Sequence, residues 1–326
     1  MSNTDKQLTQ EQLSEILDLH WKWVRGEPGG VRASLWGANL ESANLRGANL
    51  TNAILTKANL TGANLEEANL RGANLESANL RGANLTNAIL TGANLTGANL
   101  ESANLRGANL TNAILTNAIL TGANLEEANL WGANLYRASL EGANLWGANL
   151  YRASLEGANL TGASLESANL WGANLYRASL EGANLTGASL EGANLWGANL
   201  EYAILEGAKL PPPSLDLSGC TVGYKKVWNK DRSKQVVIEL WFPEGTKLVS
   251  TVIGRKCRAS EAMVVRCVST GHQGETEFWS SYSERFIYRV GETVRPVEPF
   301  DDSITVECTS GIHFFTTQEE AEAYSY

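Results

Sequence analysis

Acid–base and nucleophilic side chains are scarce in this chain, and where they are missing says more than how many there are. Its 326 residues include three His and four Cys. Between residues 31 and 210 there is no His, no Cys and no Asp. A tract without these groups cannot build a His-centred dyad, a thiolate nucleophile or a metal cage of His and Cys. Cys220, Cys257, Cys267 and Cys308 all fall in the last third with no CxxC spacing, the pattern of reduced thiols in a cytoplasmic protein. No apolar run approaches the ~18 residues that mark a bilayer span, so no membrane contact is expected. The first residues, MSNTDKQLTQEQ, are polar and unlike a secretory leader. Basic side chains are outnumbered, 26 Lys and Arg against 35 Asp and Glu, for a net charge of −9. The acidity is spread over the chain, and no segment has the basic face expected of direct nucleic-acid binding.

In place of these features the chain has a period. Thirty-six consecutive pentapeptides run from Val31 to Leu210, each with Ala third and Leu fifth. In an α-helix five residues advance about 140° past a full turn, so the leucines would scatter around the axis. In a straight strand an odd spacing sends successive leucines to opposite faces. A chain that turns a corner once per pentad avoids both outcomes. Leu, and Ala two residues earlier, then point to a common interior, while the residue between them and the two corner residues face out. The second position is Gly in 20 of the 35 pentads from residue 36 onward, as a corner of unusual φ favours. The outward position before Leu is Asn in 24 of 36. One such coil cannot bury its own leucines, whereas stacked coils bury them all.

The A(N/S)LxG array resembles the pentapeptide repeat family. That resemblance implies an all-β solenoid, a right-handed, four-sided parallel β-helix with four pentads per coil. Thirty-six pentads then give about nine coils, a rod about 43 Å long at ~4.8 Å per stacked strand.

Three divisions are expected. Residues 1–30 form an N-terminal capping α-helix over 8–25. Thr9 and Gln12 have capping-box spacing, Leu13, Ile16, Leu17, Trp21 and Val24 form an apolar stripe, and Gly26 is the stop. Residues 31–215 are the β-helix, halted by Pro211-Pro212-Pro213. Residues 216–326 lose the repeat and read as a C-terminal α+β domain. Strands are expected at Gln235–Phe242, Lys247–Ile253, Ala262–Val268 and Arg285–Val290, with weaker signals at Gly223–Trp228 and Ile304–Cys308 and a helix over Thr317–Tyr324. The segments GRKCRAS (254–260) and GIHFF (311–315) resemble an uncharacterised domain that follows pentapeptide repeats in bacterial, phage and large-virus proteins.

Candidates for chemistry are few. Cys257 with His313 or His272 has the residue types of a dyad, and Cys257, Cys267, Cys308 and His313 those of a metal site, but neither has signature spacing. No catalytic, cofactor or metal role is therefore assigned. The notable surface feature appears when residues 20 apart are stacked in columns. Trp131, Tyr151 and Trp171 share one column; Tyr136, Tyr176 and Trp196 share the next, interrupted by Glu156, and Arg137, Arg152 and Arg177 follow the tyrosines. Such a strip is either an interface anchor or an aromatic ladder serving its own coils. Repeat duplication is the third explanation, since WGANLYRASLEGANL recurs at 131 and 146, a step that does not match the coil.

The reading that fits these features is a non-enzymatic scaffold whose partner is a protein, without a cofactor. Two alternatives remain. Some family members are acidic DNA mimics that bind DNA gyrase, although here the 14 Glu of the tract are interleaved with 10 Lys or Arg. The other is a phage or virion component.

Overall fold

The computed structural model describes residues 8–212, 217, 219–250, 254, 256–280, 286–296, 300 and 311–324. The chain divides into two compact units, 1–212 and 213–326.

From residue 36 onward every pentad of the first unit repeats one turn. The Ala amide donates to the Leu carbonyl three residues back, as in Ala58 to Leu55 at 3.0 Å, which closes a β-turn over the two corner residues. The second corner residue has φ between +53° and +68° in all 35 pentads from residue 36, and a positive φ at that place marks a type II turn. Gly takes this conformation freely; the remaining 15 positions, including Arg137, Arg152 and Arg177, carry side chains there at a steric cost of about 1–2 kcal/mol each.

Between corners the chain pairs with its own continuation. Parallel bridges join residues 20 apart, from Ser34 with Ile54 to Ser189 with Lys209. Twenty residues are four pentads, so each coil lies on the next through bonds such as Leu60 N–H to Asn79 C=O at 2.6 Å. Every Leu from Leu35 to Leu190 is buried, and Leu205 and Leu210 of the last coil are only partly covered.

The opposite end is closed by helix α1 (Gln10–Val24). Thr9 and Gln12 form the expected capping box, and Gly26 beyond the helix has φ +68°. The first coil lacks a predecessor to donate to its carbonyls. The leading segment replaces it in part: Leu8 N–H donates to Asn39 C=O at 3.2 Å, and the Gln10 side chain reaches Asn44 C=O at 3.4 Å. Leu13 is buried against this coil, but the stripe is rotated from the expected one. Trp21 is 46% exposed, with the Arg25 guanidinium over its ring, and His20 is buried in its stead. The reason is a hydrogen bond that hydropathy does not register. His20 Nδ1 accepts from the Ala33 amide at 3.0 Å, while its ring stacks on Trp23. Burial lowers the His20 pKa below its ordinary value of 6.5; the main chain of Thr51 opposes this and Arg32 adds to it.

The second unit holds a six-stranded antiparallel sheet in the order β7-β6-β1-β2-β5-β8 and a three-stranded sheet in the order β3-β4-β9. The strands are β1 (Val222–Trp228), β2 (Gln235–Trp241), β3 (Leu248–Ser250), β4 (Cys257–Ala259), β5 (Ala262–Cys267), β6 (Glu277–Trp279), β7 (Ile287–Arg289), β8 (Thr293–Val294) and β9 (Ile312–Phe314). Val227, Ile238, Leu240, Val264, Phe278 and Phe314 lie at its core. Helix α2 (Gln318–Ala323) is capped by Thr317 and packs Ala321 with Val237 and Phe315. Strands β2, β3, β5, β7 and β1 coincide with the signals at 235–242, 247–253, 262–268, 285–290 and 223–228, of which residues 251–253 and 285 lie outside the described residues. Strands β4, β6, β8 and β9, of two or three residues, are too short to show a period. The Ile304–Cys308 segment lies outside the described residues.

Candidate functional site

The Cys257 and His313 pair of the second unit does not come together. Strands β4 and β9 pair with Cys257 opposite Phe314 and Arg258 opposite His313. Successive residues of a strand point to opposite faces, so Cys257 and His313 lie on opposite sides of the ladder and cannot form a dyad. The Nδ1 atom of His272 sits 2.6 Å from Glu275 Oε1. Cys267 is buried, and burial pushes its thiol, like that of Cys220, above the ordinary value. A thiol held protonated is a poor nucleophile. Among the described residues no cluster of three His, Cys, Asp or Glu could hold a metal ion. Cys308 lies outside them.

The aromatic strip of the first unit is a built surface. Each ring stands at the first corner position, and the Asn before it fixes the corner. Asn129, Asn149 and Asn169 accept from the amides of Trp131, Tyr151 and Trp171 at 3.1–3.2 Å through Oδ1. Asn134, Asn174 and Asn194 do the same for Tyr136, Tyr176 and Trp196 at 3.0–3.2 Å. The amides also bond one another along the rod, Asn149 to Asn129 at 3.1 Å and Asn169 to Asn149 at 3.2 Å. The rings therefore rest on a fixed lattice of side-chain amides.

Stacking within the strip is limited. Tyr151 and Trp171 lie face to face, with centroids 5.1 Å apart and planes at 8°. Trp131 in the same column, and Tyr136, Tyr176 and Trp196 in the next, stack on no other ring among the described residues. Each arginine covers its tyrosine instead. The Arg137 guanidinium is 5.0 Å from the Tyr136 centroid, Arg177 is 4.9 Å from Tyr176, and Arg152 is 5.2 Å from Tyr151 and 5.7 Å from Trp171. Glycine one coil on makes room for these stems. A Cβ at Gly157, Gly172 or Gly197 would meet the Cγ of Arg137, Arg152 or Arg177 at 3.2–3.4 Å. The ladder explanation thus holds for one pair of rings, and Trp131, Trp146, Trp171 and Trp196 remain 36–41% exposed. Sequence reasoning missed this arginine placement; the recurring Tyr-Arg dipeptide with Gly twenty residues after the Arg was its signal.

A family model of pentapeptide repeats (8 copies) matches residues 31–210 in consecutive segments, more than half of the chain. The chain is a pentapeptide repeat protein. Pentapeptide repeat proteins form right-handed β-helices and are generally non-enzymatic structural or interaction proteins. Residues 213–321 match a family of unknown function (DUF5758). Among solved structures, HetL is a pentapeptide repeat protein involved in heterocyst differentiation regulation from the cyanobacterium Nostoc sp. strain PCC 7120. It is 38% identical over 56% of this chain and 87% of its own, with a TM-score of 0.39. Rfr23 from the cyanobacterium Cyanothece 51142 is 46% identical over 27% of this pentapeptide repeat protein and 59% of its own length, with a TM-score of 0.27. QnrB1, a plasmid-mediated fluoroquinolone resistance protein, is 19% identical over 58% of this chain and 89% of its own, with a TM-score of 0.37. No curated protein matches the chain. Among the described residues no helix is long and apolar enough to cross a membrane.

Proposed function

We propose that this protein is a cytoplasmic interaction scaffold without catalytic activity. A rigid rod of about nine coils docks a protein partner on the Trp131–Trp196 strip and carries a second binding domain at residues 216–326. The partner is a protein, not a nucleic acid or a membrane. The observation that carries this reading is the exposure of Trp131, Trp171 and Trp196 on a corner lattice that holds their backbone fixed. Exposed aromatics beside arginine on a rigid surface are the composition of interface anchors. Rigidity lowers the ordering cost of binding.

The DNA-mimic alternative has less support. Glu66, Glu101 and Glu126 of the rod each face an arginine one coil back, which interrupts any continuous acidic row. No observation favours a virion role.

The test is co-purification from the source cell with the full chain and with Trp131→Ala/Trp171→Ala/Trp196→Ala, followed by titration with the purified partner. The expected result is a partner held by the parent and weakened at least about tenfold by the triple substitution. A partner held equally by both chains rules the strip out as its dock.

A further inference from the structure

We propose that the partner segment seated on this strip is acidic, and that Arg137, Arg152 and Arg177 take its carboxylates. This rests on the docking reading above and adds the chemistry of what docks. Ten Lys and Arg lie along the repeat tract, and six of them fall into two sets. Arg46, Arg81 and Arg106 stand at the first corner position and reach Glu66, Glu101 and Glu126 one coil on, at 3.4–3.5 Å. Their forks already face carboxylates. Arg137, Arg152 and Arg177 stand at the second corner position, exposed, with their stems over glycine and their guanidinium groups over rings. Among the described residues none of these three side chains donates a hydrogen bond, and no carboxylate lies within the 4 Å of an ion pair. A guanidinium over a ring keeps its edge donors free for a bidentate acceptor. Three such groups, each held in place, form an acceptor-seeking surface whose acceptors are not among the described residues.

The spacing suits an extended peptide. Arg137 and Arg177 occupy one corner column two coils apart, about 10 Å along the rod at ~4.8 Å per coil. Arg152 lies at the adjoining corner, between them along the axis. Three residues of a polyproline II segment cover about 9 Å and return to the same face, so such a segment running along the rod with an acidic residue at every third place meets the column in register. A single-stranded nucleic acid fits less well. It needs a run of aromatic faces for its bases, and here Tyr151 and Trp171 face each other at 5.1 Å and arginines lie over Tyr136 and Tyr176, which leaves Trp131 and Trp196 far apart along the strip. Glu156, between Tyr136 and Tyr176 in their column, also opposes a continuous polyanion but not spaced carboxylates.

The test uses the full chain and three probes. These are a peptide of about twelve residues with Glu at every third position, the same peptide with Gln in place of Glu, and an oligothymidylate of about the same length. The variant is Arg137→Gly/Arg152→Gly/Arg177→Gly. Glycine is the residue of choice because it occupies 20 of the 35 equivalent corners at the same positive φ, so the backbone is kept. A second variant, Arg→Lys at all three, keeps the charge and loses the fork; Lys57 shows that lysine is accommodated at such a corner with φ +60°. Calorimetry is expected to show the Glu peptide binding, with at least about tenfold weaker binding for the Gln peptide and for the glycine variant, and the lysine variant between. A Glu peptide that binds no better than the Gln peptide, or equally well to the glycine variant, overturns the proposal. So does an oligothymidylate that binds more tightly than the peptide through the same arginines. The native partner separates the two readings. If it leaves the tryptophan variant but stays on the glycine variant, the docking reading stands and the acidic segment falls; if it stays on both, both fall.

Discussion

In the first half of the rod an arginine reaches one coil forward to a glutamate; in the second half an arginine lies down over a tyrosine. The two halves share one interior. Leu60 and Leu160 are equally buried, and the ladder bonds around them have the same lengths within about a tenth of an ångström. The exteriors differ because whole pentads can be exchanged without touching Ala or Leu. A repeat of this kind separates stability from surface chemistry: the core positions hold the coil, and the corners are left to vary. One half answers its own charges. The other presents Trp131, Trp171 and Trp196 beside three positioned guanidinium groups.

The comparison breaks first if the interiors are unequal. Leu65→Asp and Leu165→Asp each bury an unpaired charge in mid-rod, and each should cost at least about 4 kcal/mol. Denaturant unfolding of the two variants should agree within about 0.5 kcal/mol. A small loss for Leu165→Asp alone would show that the aromatic half has a looser core.

A smaller effect sharpens the contrast between the ends. His20 is the imidazole seated against the first coil, and the tract from 31 to 210 has none. Its folded pKa is depressed, so the unfolded chain binds the proton more readily. The stabilising contribution is whole above about pH 6.5 and is lost as pH falls from there through the folded value. Protonation at Nδ1 also removes the acceptor of the Ala33 amide. Hydrogen exchange should therefore quicken around Ala33–Leu50 between pH 7.5 and 5 and stay unchanged around Leu150–Leu170, apart from the intrinsic pH effect. His20→Phe should abolish the difference. Equal quickening at both places would remove His20 as its cause.

The smallest effect concerns the arginines themselves. Arg81→Ala breaks an exposed axial ion pair with Glu101 and should cost no more than about 1 kcal/mol. Arg152→Gly loses a ring contact of about 0.5–1 kcal/mol and gains relief at a positive φ, so its net change in stability should be near zero. A melting temperature sharply lowered by Arg152→Gly would mean that this arginine holds the coil together, and the case for its outward role would weaken.

Much of this was legible in the residues. The Ala and Leu places, the glycine-bearing corner and the capping box of Thr9 and Gln12 all follow from local rules. Trp21 was misplaced because a helical stripe counts imidazole as polar, and only the Ala33 amide made His20 the better inward residue. The dyad of Cys257 and His313 was conceivable in sequence because strand register is invisible there. One place of register decides which face each side chain takes.

The five-residue period by itself determined that the backbone must turn once per pentad and aim Leu and Ala at a shared interior, because no helix or straight strand can bury that spacing. Only the tertiary structure decided what each surface residue touches. Those neighbours lie twenty residues away in the rod, or more than fifty away where Cys257 meets Phe314. Contacts at such separations are set by how closed coils and paired strands stack.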